Sequence, residues 1–416
     1  MDINWYRNAV FYSLDVETFQ DSNGDGIGDF NGLIKRLEYI ASLGVSCIWL
    51  LPFYPSPNRD NGYDVKDYYN VDERLGTLKE FSSFMEKAGE LGLRVLIDLV
   101  VNHTSREHPW FQAARKDPRS RYRDFYIWSD HPQEYEREHL MLVGEEDTMW
   151  TFDEEAGQYY LHRFYKEQPD LNIGSPHVRK EILKIIEFWL GLGVSGFRID
   201  AAEMLIETYG MKESQVKDLA VFLDEMRAFT TNKNPQALLL AEVNAPPDKM
   251  IPYLKEGKRM QMLFNFFINQ QLFLSLAQEK GIVLEEALKA LPERNEGEQW
   301  LNFLRHHDEL SLKLIAEDTR PEIFQSFAPE ENMRSFGHGI RRRLAPMMNG
   351  DLQKIKLAYS LLFSIPGVPL VRYGEEIGMG RIYHCPAGPV SGPQCNGQMK
   401  SMLDFQQRLF KAWFIL

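Results

Sequence analysis

Residues Val95–His103 read VLIDLVVNH. The first seven are apolar apart from Asp98 and rich in β-branched side chains, the composition of a strand buried on both faces. Two polar residues, Asn102 and His103, follow at once. Upstream, Leu78–Leu91 has the length and apolar spacing of an amphipathic helix. The same unit recurs along the chain. Strand candidates are Val10–Leu14, Cys47–Leu51, Val95–Val101, Gly196–Ile199, Leu238–Ala241, Met260–Phe264, Trp300–Leu304 and Val368–Val371. Helix-like segments such as Phe30–Leu43, Val178–Leu190 and Leu352–Phe363 lie between them. Eight such strands alternating with helices predict a closed (β/α)8 TIM barrel rather than an open doubly wound sheet.

Residues 104–172 break this rhythm. They are rich in Trp, Tyr, Arg, Asp and His, and about 70 residues is too long for a plain loop. We read them as a small domain inserted after the third strand, walling one side of the barrel's C-terminal face. The expected organisation is a barrel from residues 1–103 and 173–380, an inserted domain over 104–172, and a distinct tail over 381–416.

Composition narrows the function classes. Of 416 residues, 44% are hydrophobic and 26% charged, an ordinary globular balance. A formal net charge of −13 argues against a nucleic-acid partner, because phosphate contacts need clustered Lys and Arg. There is no apolar run of membrane-spanning length. The start, MDINWYRNAVFYSL, lacks the basic and apolar regions of a signal peptide, so a cytoplasmic location is expected. Cys47, Cys385 and Cys395 imply no disulfide framework.

Polar clusters follow four of the strands: DLVVNH (Asp98–His103), GFRID (Gly196–Asp200), Glu242 within LLLAEVN, and His306–Asp308 within FLRHHDE. In a barrel of this kind, polar residues at strand C-termini are where catalysis is found. Cleavage of a glycosidic bond with retention needs a nucleophilic carboxylate and a carboxyl group that protonates the departing oxygen. A further fixed negative charge favours the oxocarbenium-like transition state. Asp200, Glu242 and Asp308 supply such a set from three strands. Arg198, two residues before Asp200, shares its face of the strand and should favour its ionised form.

These motifs resemble glycoside hydrolase family 13, the α-amylase superfamily, from Asn4 to Gly380. That family has DxxxNH, GFRxD, a Glu and xHD after strands three, four, five and seven. The resemblance implies that Asp200 is the nucleophile, Glu242 the acid/base and Asp308 the transition-state stabiliser. It implies that Arg198, His103 and His307 hold the sugar in the −1 subsite. Asp60 and Tyr63, in DNGYD (Asp60–Asp64), would line the closed end of that subsite. One departure concerns the stabiliser: the family reads Asn-His-Asp where this chain has His306-His307-Asp308.

The segment Asp21–Asp29, DSNGDGIGD, sets oxygen-bearing side chains at alternate positions with glycines between, which suits a hard cation. It is not an EF-hand, since Gly32 stands where that motif needs Glu. By resemblance it is a structural Ca²⁺ loop with Asp21, Asn23, Asp25, Asp29 and the Ile27 carbonyl as ligands. A weaker second cation site would involve Asn102 and Asp170.

QPDLN (Gln168–Asn172) resembles the oligo-1,6-glucosidase, α-glucosidase and trehalose synthase branch. The opening segment, Ser326–Pro346 and Tyr373–Gly380 look most like trehalose synthase, which interconverts maltose and trehalose. Ala201–Ile206 and Leu263–Leu272 depart from that pattern. The expected substrate is a small α-glucoside: maltose, trehalose or short α-glucans. The alternatives are a hydrolytic α-glucosidase or α-amylase, and an amylase-like scaffold without activity.

From Arg381 onward the resemblance ends. The peptide from Cys385 can be encoded so that reading two nucleotides later yields PGRASVRTPMQW, and the family expects DDLSLPGR…VRTPMQW after GEEIGMG. We therefore read residues 381–416 as out of frame. On that reading Asp60 lacks the arginine of RTPMQW, and the closing helix and the C-terminal β-sandwich domain are missing. A chain so altered is expected to be poorly stable and weakly active.

Overall fold

Alternation along a strand sends successive side chains to opposite faces, and in a closed barrel those faces are the interior and the helix-covered exterior. A computed structural model describes residues 2–131, 141–142, 145–207 and 219–380. In it eight parallel strands close into a barrel. They are Phe11–Leu14, Cys47–Leu50, Arg94–Leu99, Gly196–Ile199, Leu238–Ala241, Met262–Phe264, Gln299–Phe303 and Val368–Arg372. The first strand pairs with the second and, closing the ring, with the eighth through Phe11 and Leu370. The eight-stranded barrel expected from the sequence is thus the fold.

The alternation sorts the core into two layers. Phe11, Trp49, Leu96, Leu240, Phe264 and Leu370 fill the interior. Tyr12, Ile48, Ile97, Phe197, Leu239 and Val371 face outward into the layer shared with the helices. Each fully buried side chain of this size contributes roughly 1.5–3 kcal/mol through removal from water.

The helices begin where local chemistry dictates. Phe30–Ser42 starts at Asp29, whose Oδ1 accepts the Gly32 N–H at 2.7 Å. Leu78–Glu90 opens on a reciprocal capping box between Thr77 and Glu80. Pro176–Gly191 places its proline in the first turn, and Leu352–Ser364 is capped by Asp351. Gly196 begins the fourth strand at φ +147, and a Cβ there would lie 2.1 Å from the Leu238 carbonyl oxygen. The glycine of GFRID is therefore set by close strand approach.

Within residues 104–172, Trp128–Ser129, Trp150–Asp153 and Gln158–Leu161 form a three-stranded antiparallel sheet. A bridge from Asp170 to His103 ties the insert to the barrel, while Tyr126 bridges Leu171 within the insert. Arg163 locks the junction. Its guanidinium contacts Asp170 Oδ2 at 3.4 Å and donates to Asn102 Oδ1 at 3.4 Å and the Met204 carbonyl at 2.9 Å. Both residues marked for a second cation site are therefore engaged by a guanidinium. Burial pushes the Asp170 carboxyl up to about 7, against the opposing charge of Arg163. The tail assigned to residues 381–416, and residues 132–140 and 143–144 of the insert, lie outside the described residues.

Candidate active site

The strand register assembles the site. Asp98 on the third strand pairs with Arg198 on the fourth, which pairs with Leu240 on the fifth. Two residues further along, on the same inward face, come Asp200 and Glu242. One guanidinium then meets three carboxylates. Arg198 Nη1 bonds to Asp98 and to Asp200, while Nη2 lies 2.8 Å from Glu242 Oε2. Its side chain is only 1% exposed, above the Trp49 ring at 5.3 Å and the Tyr63 ring at 5.6 Å.

Above this floor a pocket opens, lined by Asp60, Tyr63, His103, Asp200, Glu242, His307 and Asp308. All eight residues assigned to catalysis or sugar binding are thus gathered at one place, with Arg198 beneath. The Asp21–Asp29 loop is not part of the pocket wall.

Charge in the site is uneven. Burial pushes the Asp200 carboxyl well above the usual range; Arg198 opposes this, while Glu242 and Asp98 add to it. Asp308 goes the other way. Confinement raises it, but the charge and hydrogen bond of His307 outweigh that and hold it well below the usual range. His307 Nε2 lies 2.9 Å from Asp308 Oδ2 and 2.7 Å from the Tyr63 hydroxyl. A carboxylate only accepts, so this nitrogen carries hydrogen, and Tyr63 turns its own O–H toward Asp98 Oδ2 at 3.4 Å. The Tyr63 and His307 rings are stacked, 5.4 Å apart and 9° from parallel.

Asp60 accepts from Gln168 Nε2 at 2.8 Å, and burial raises its carboxyl to about 6. Gln168 also lies 3.1 Å from His103 Nε2, and burial holds that imidazole neutral, with its pKa lowered to about 4. Ala201 sits directly after Asp200 in the left-handed conformation, φ 44 and ψ 44. That geometry costs roughly 1–2 kcal/mol for a residue with a Cβ. In return its N–H reaches Glu242 Oε2 at 3.0 Å, a second fixed partner for that carboxylate.

Several residues of the site escaped the sequence reading as individuals. Asp98 lay inside a recognised motif, but its burial against Arg198 and Trp49 Nε1 is a product of register. Glu203 and Glu309 line the pocket too. Burial lifts both to about 7, with Lys313 opposing the shift at Glu203 and Asp308 adding to that at Glu309. Glu203 falls in the departing segment Ala201–Ile206, the one signal that could have marked it.

In the Asp21–Asp29 loop, Asp21 accepts backbone N–H groups from Asn23, Gly24 and Gly26. The Gly24 and Gly26 bonds lower its pKa, so the carboxylate is anionic at neutral pH. Asp29 is differently placed: one oxygen caps the helix and the other accepts from Ser22 N–H at 2.9 Å. Among the described residues, three metal-ligating atoms of His, Cys, Asp or Glu approach within 4.8 Å only at His306, His307 and Asp308. No helix is long and apolar enough to cross a membrane among the described residues.

Residues 16–408 match the family model of the alpha-amylase catalytic domain. The trehalose synthase/amylase TreS of Mycolicibacterium smegmatis is 41% identical over 385 residues, covering 92% of this chain and 65% of that protein. An oligo-1,6-glucosidase of Parageobacillus thermoglucosidasius is 31% identical, covering 92% and 67%. Among solved structures, an alpha-amylase from H. orenii superposes with a TM-score of 0.76 at 26% identity, covering 97% of this chain and 81% of that one. The chain therefore spans just under two thirds of the length of the TreS relative.

Proposed function

This chain belongs to the α-amylase family, on the branch that holds trehalose synthases and oligo-1,6-glucosidases, and from that premise we propose that it interconverts maltose and trehalose. The observation that carries the proposal is the Arg198 guanidinium bridging Asp200 and Glu242 at the floor of one pocket. A shared cation holds the two carboxyl groups side by side in one pocket, the pairing that cleavage with retention needs.

In the proposed reaction Asp200 attacks the anomeric carbon of maltose while Glu242 protonates the glycosidic oxygen. The bond to the reducing glucose breaks and a glucosyl ester forms on Asp200. Asp308, kept anionic by His307, stabilises the oxocarbenium-like transition state. The freed glucose turns within the pocket and presents its anomeric hydroxyl to the ester. Glu242 takes that proton, trehalose forms, and Asp200 is regenerated. Asp60, Tyr63 and His103 would bind the glucosyl unit at the closed end, where exclusion of water decides between transfer and hydrolysis.

Hydrolysis is the second reading, and Glu203 favours it. A carboxylate in the pocket wall beside Glu242, in a segment unlike trehalose synthases, offers water a polar foothold that a retained glucose must displace. Incubation with maltose and quantification of products separates these readings. Mostly trehalose upholds the isomerase, and mostly glucose upholds the hydrolase. No turnover, together with no adduct on Asp200 from a fluorinated glucosyl fluoride, would leave an inactive amylase-like protein.

The Asp21–Asp29 loop is proposed to hold Ca²⁺ through Asp21, Asn23, Asp25, Asp29 and the Ile27 carbonyl. The donors are all oxygen and Asp21 is anionic, which suits a hard cation. Bound there, the ion would brace the start of the Phe30–Ser42 helix. A hundredfold excess of Ca²⁺ over its Kd is expected to raise Tm on the order of 3 °C, and Asp21→Ala should abolish the rise. Equal Tm with calcium and with chelator would remove the ion from the account.

A further inference from the structure

His306 stands where the family pattern has asparagine, and it is 3% exposed in the pocket wall. Its Nδ1 accepts the backbone N–H of Asp308 at 3.2 Å. That is a contact from residue i to the N–H of residue i+2, the same connection an asparagine side-chain oxygen makes in an Asx turn. An accepting Nδ1 carries no hydrogen, so in the neutral ring Nε2 carries it. Burial keeps the ring neutral, its pKa well below the ordinary value. Nε2 has no hydrogen-bond partner among the described residues and is sealed from solvent. The ring packs edge to face against Phe303 at 5.0 Å, Phe266 at 5.6 Å and His307 at 5.4 Å.

The surrounding backbone is held from the carbonyl side as well. Arg372 donates to the His306 carbonyl at 3.0 Å and Arg305 to the Asp308 carbonyl at 2.7 Å. The turn is thus pinned at two carbonyls by guanidinium groups and at one N–H by an imidazole nitrogen. Asp308 itself is different. Its side chain is 46% exposed and bonded to His307, so its direction depends on the turn beneath it.

We propose that His306 is a positioning residue for Asp308, its Nδ1 serving in place of an asparagine oxygen to fix the turn that aims the carboxylate. The inference rests on the reading of Asp308 as transition-state stabiliser. An aromatic ring does what the shorter amide cannot, since it fills the slot between Phe266 and Phe303 while keeping the acceptor. The cost is one buried N–H without a hydrogen-bond partner among the described residues.

Two variants separate the acceptor from the ring. His306→Phe keeps the aromatic packing and removes the acceptor; His306→Asn keeps an acceptor and removes the ring. With maltose, His306→Phe is expected to lower kcat about 10- to 100-fold with KM within about twofold, while His306→Asn stays within about threefold of wild-type kcat. Hydrogen exchange gives a second readout that needs no activity. The Asp308 amide should exchange at least about tenfold faster in His306→Phe and keep its protection in His306→Asn. Unchanged exchange in the Phe variant, or equal losses in both variants, would overturn the proposal. Wild-type protein without turnover but with the expected exchange pattern would count against the functional reading alone.

Discussion

Replacing Asp200 with asparagine is expected to reduce maltose turnover by about four orders of magnitude or more, while the protein keeps its fold. At 1.36 kcal/mol per decade that is roughly 5.5 kcal/mol of barrier, the scale for losing a covalent intermediate rather than one hydrogen bond. The amide matches the carboxylate in shape and can still meet Arg198, so binding should suffer far less than chemistry. Stability should hold or rise, because Asp200 is one of three carboxyl groups around a single guanidinium and burial already disfavours its charge. The measurements are kcat and KM with maltose beside a urea midpoint. A variant retaining a tenth of wild-type kcat would end the assignment of Asp200 as nucleophile.

Arg198→Met is expected to damage both stability and activity, and to move the pH profile in a stated direction. The substitution leaves Asp98, fully buried, and Asp200, nearly so, facing Glu242 without a cation. Removing one partner of a buried pair costs about 3–5 kcal/mol, and the carboxyl groups relieve part of this by taking up protons. Arg198 lowers the Asp200 pKa in the native protein, so its loss must raise that pKa further. Less Asp200 is then ionised at neutral pH, and the acid limb of the kcat profile shifts to higher pH. At pH 7 kcat should fall by about 10³ or more, with partial recovery toward alkaline pH. An acid limb that stays in place while kcat falls would mean that Arg198 acts through packing on Trp49 and Tyr63 rather than through charge.

The two variants test different links in one argument. In the proposed reaction Asp200 concerns the bond that forms. Arg198 concerns the field in which it forms, and its effect reaches Asp98 and Glu242 as well. Because these four side chains share contacts, their substitutions should not add. The double variant is expected to be little worse in kcat than Asp200→Asn alone.

The unequal legibility of this protein has particular causes. The barrel strands were readable because apolar runs of four to seven residues, several of them followed at once by Asp, Asn or Glu, alternate with helix-length segments, a pattern with few alternatives to parallel strands buried on both faces. The eighth expected run, Val368–Val371, is one residue short of the observed strand, Val368–Arg372. The side-chain pairing of Asp98 with Arg198 was not readable, since it depends on how two strands 100 positions apart align. Gln168 reaching Asp60 and His103 was hidden for the same reason. The second duty of Asp29 was hidden too: read as a cation ligand, it also accepts backbone N–H groups on both carboxylate oxygens, one of them capping a helix.

The sequence by itself determined the barrel, its alternation of inward and outward residues, and the placing of Asp200, Glu242 and Asp308 at one rim. These follow from periodicity and from residue types that suit only one environment. Tertiary structure alone decided the electrostatics. Whether Asp200 is raised and Asp308 lowered depends on burial and on which charge lies within a few ångströms, here Arg198 and Glu242 for one and His307 for the other. Coulomb energy and desolvation vary steeply with distance and with access to water, and neither is written in the order of residues.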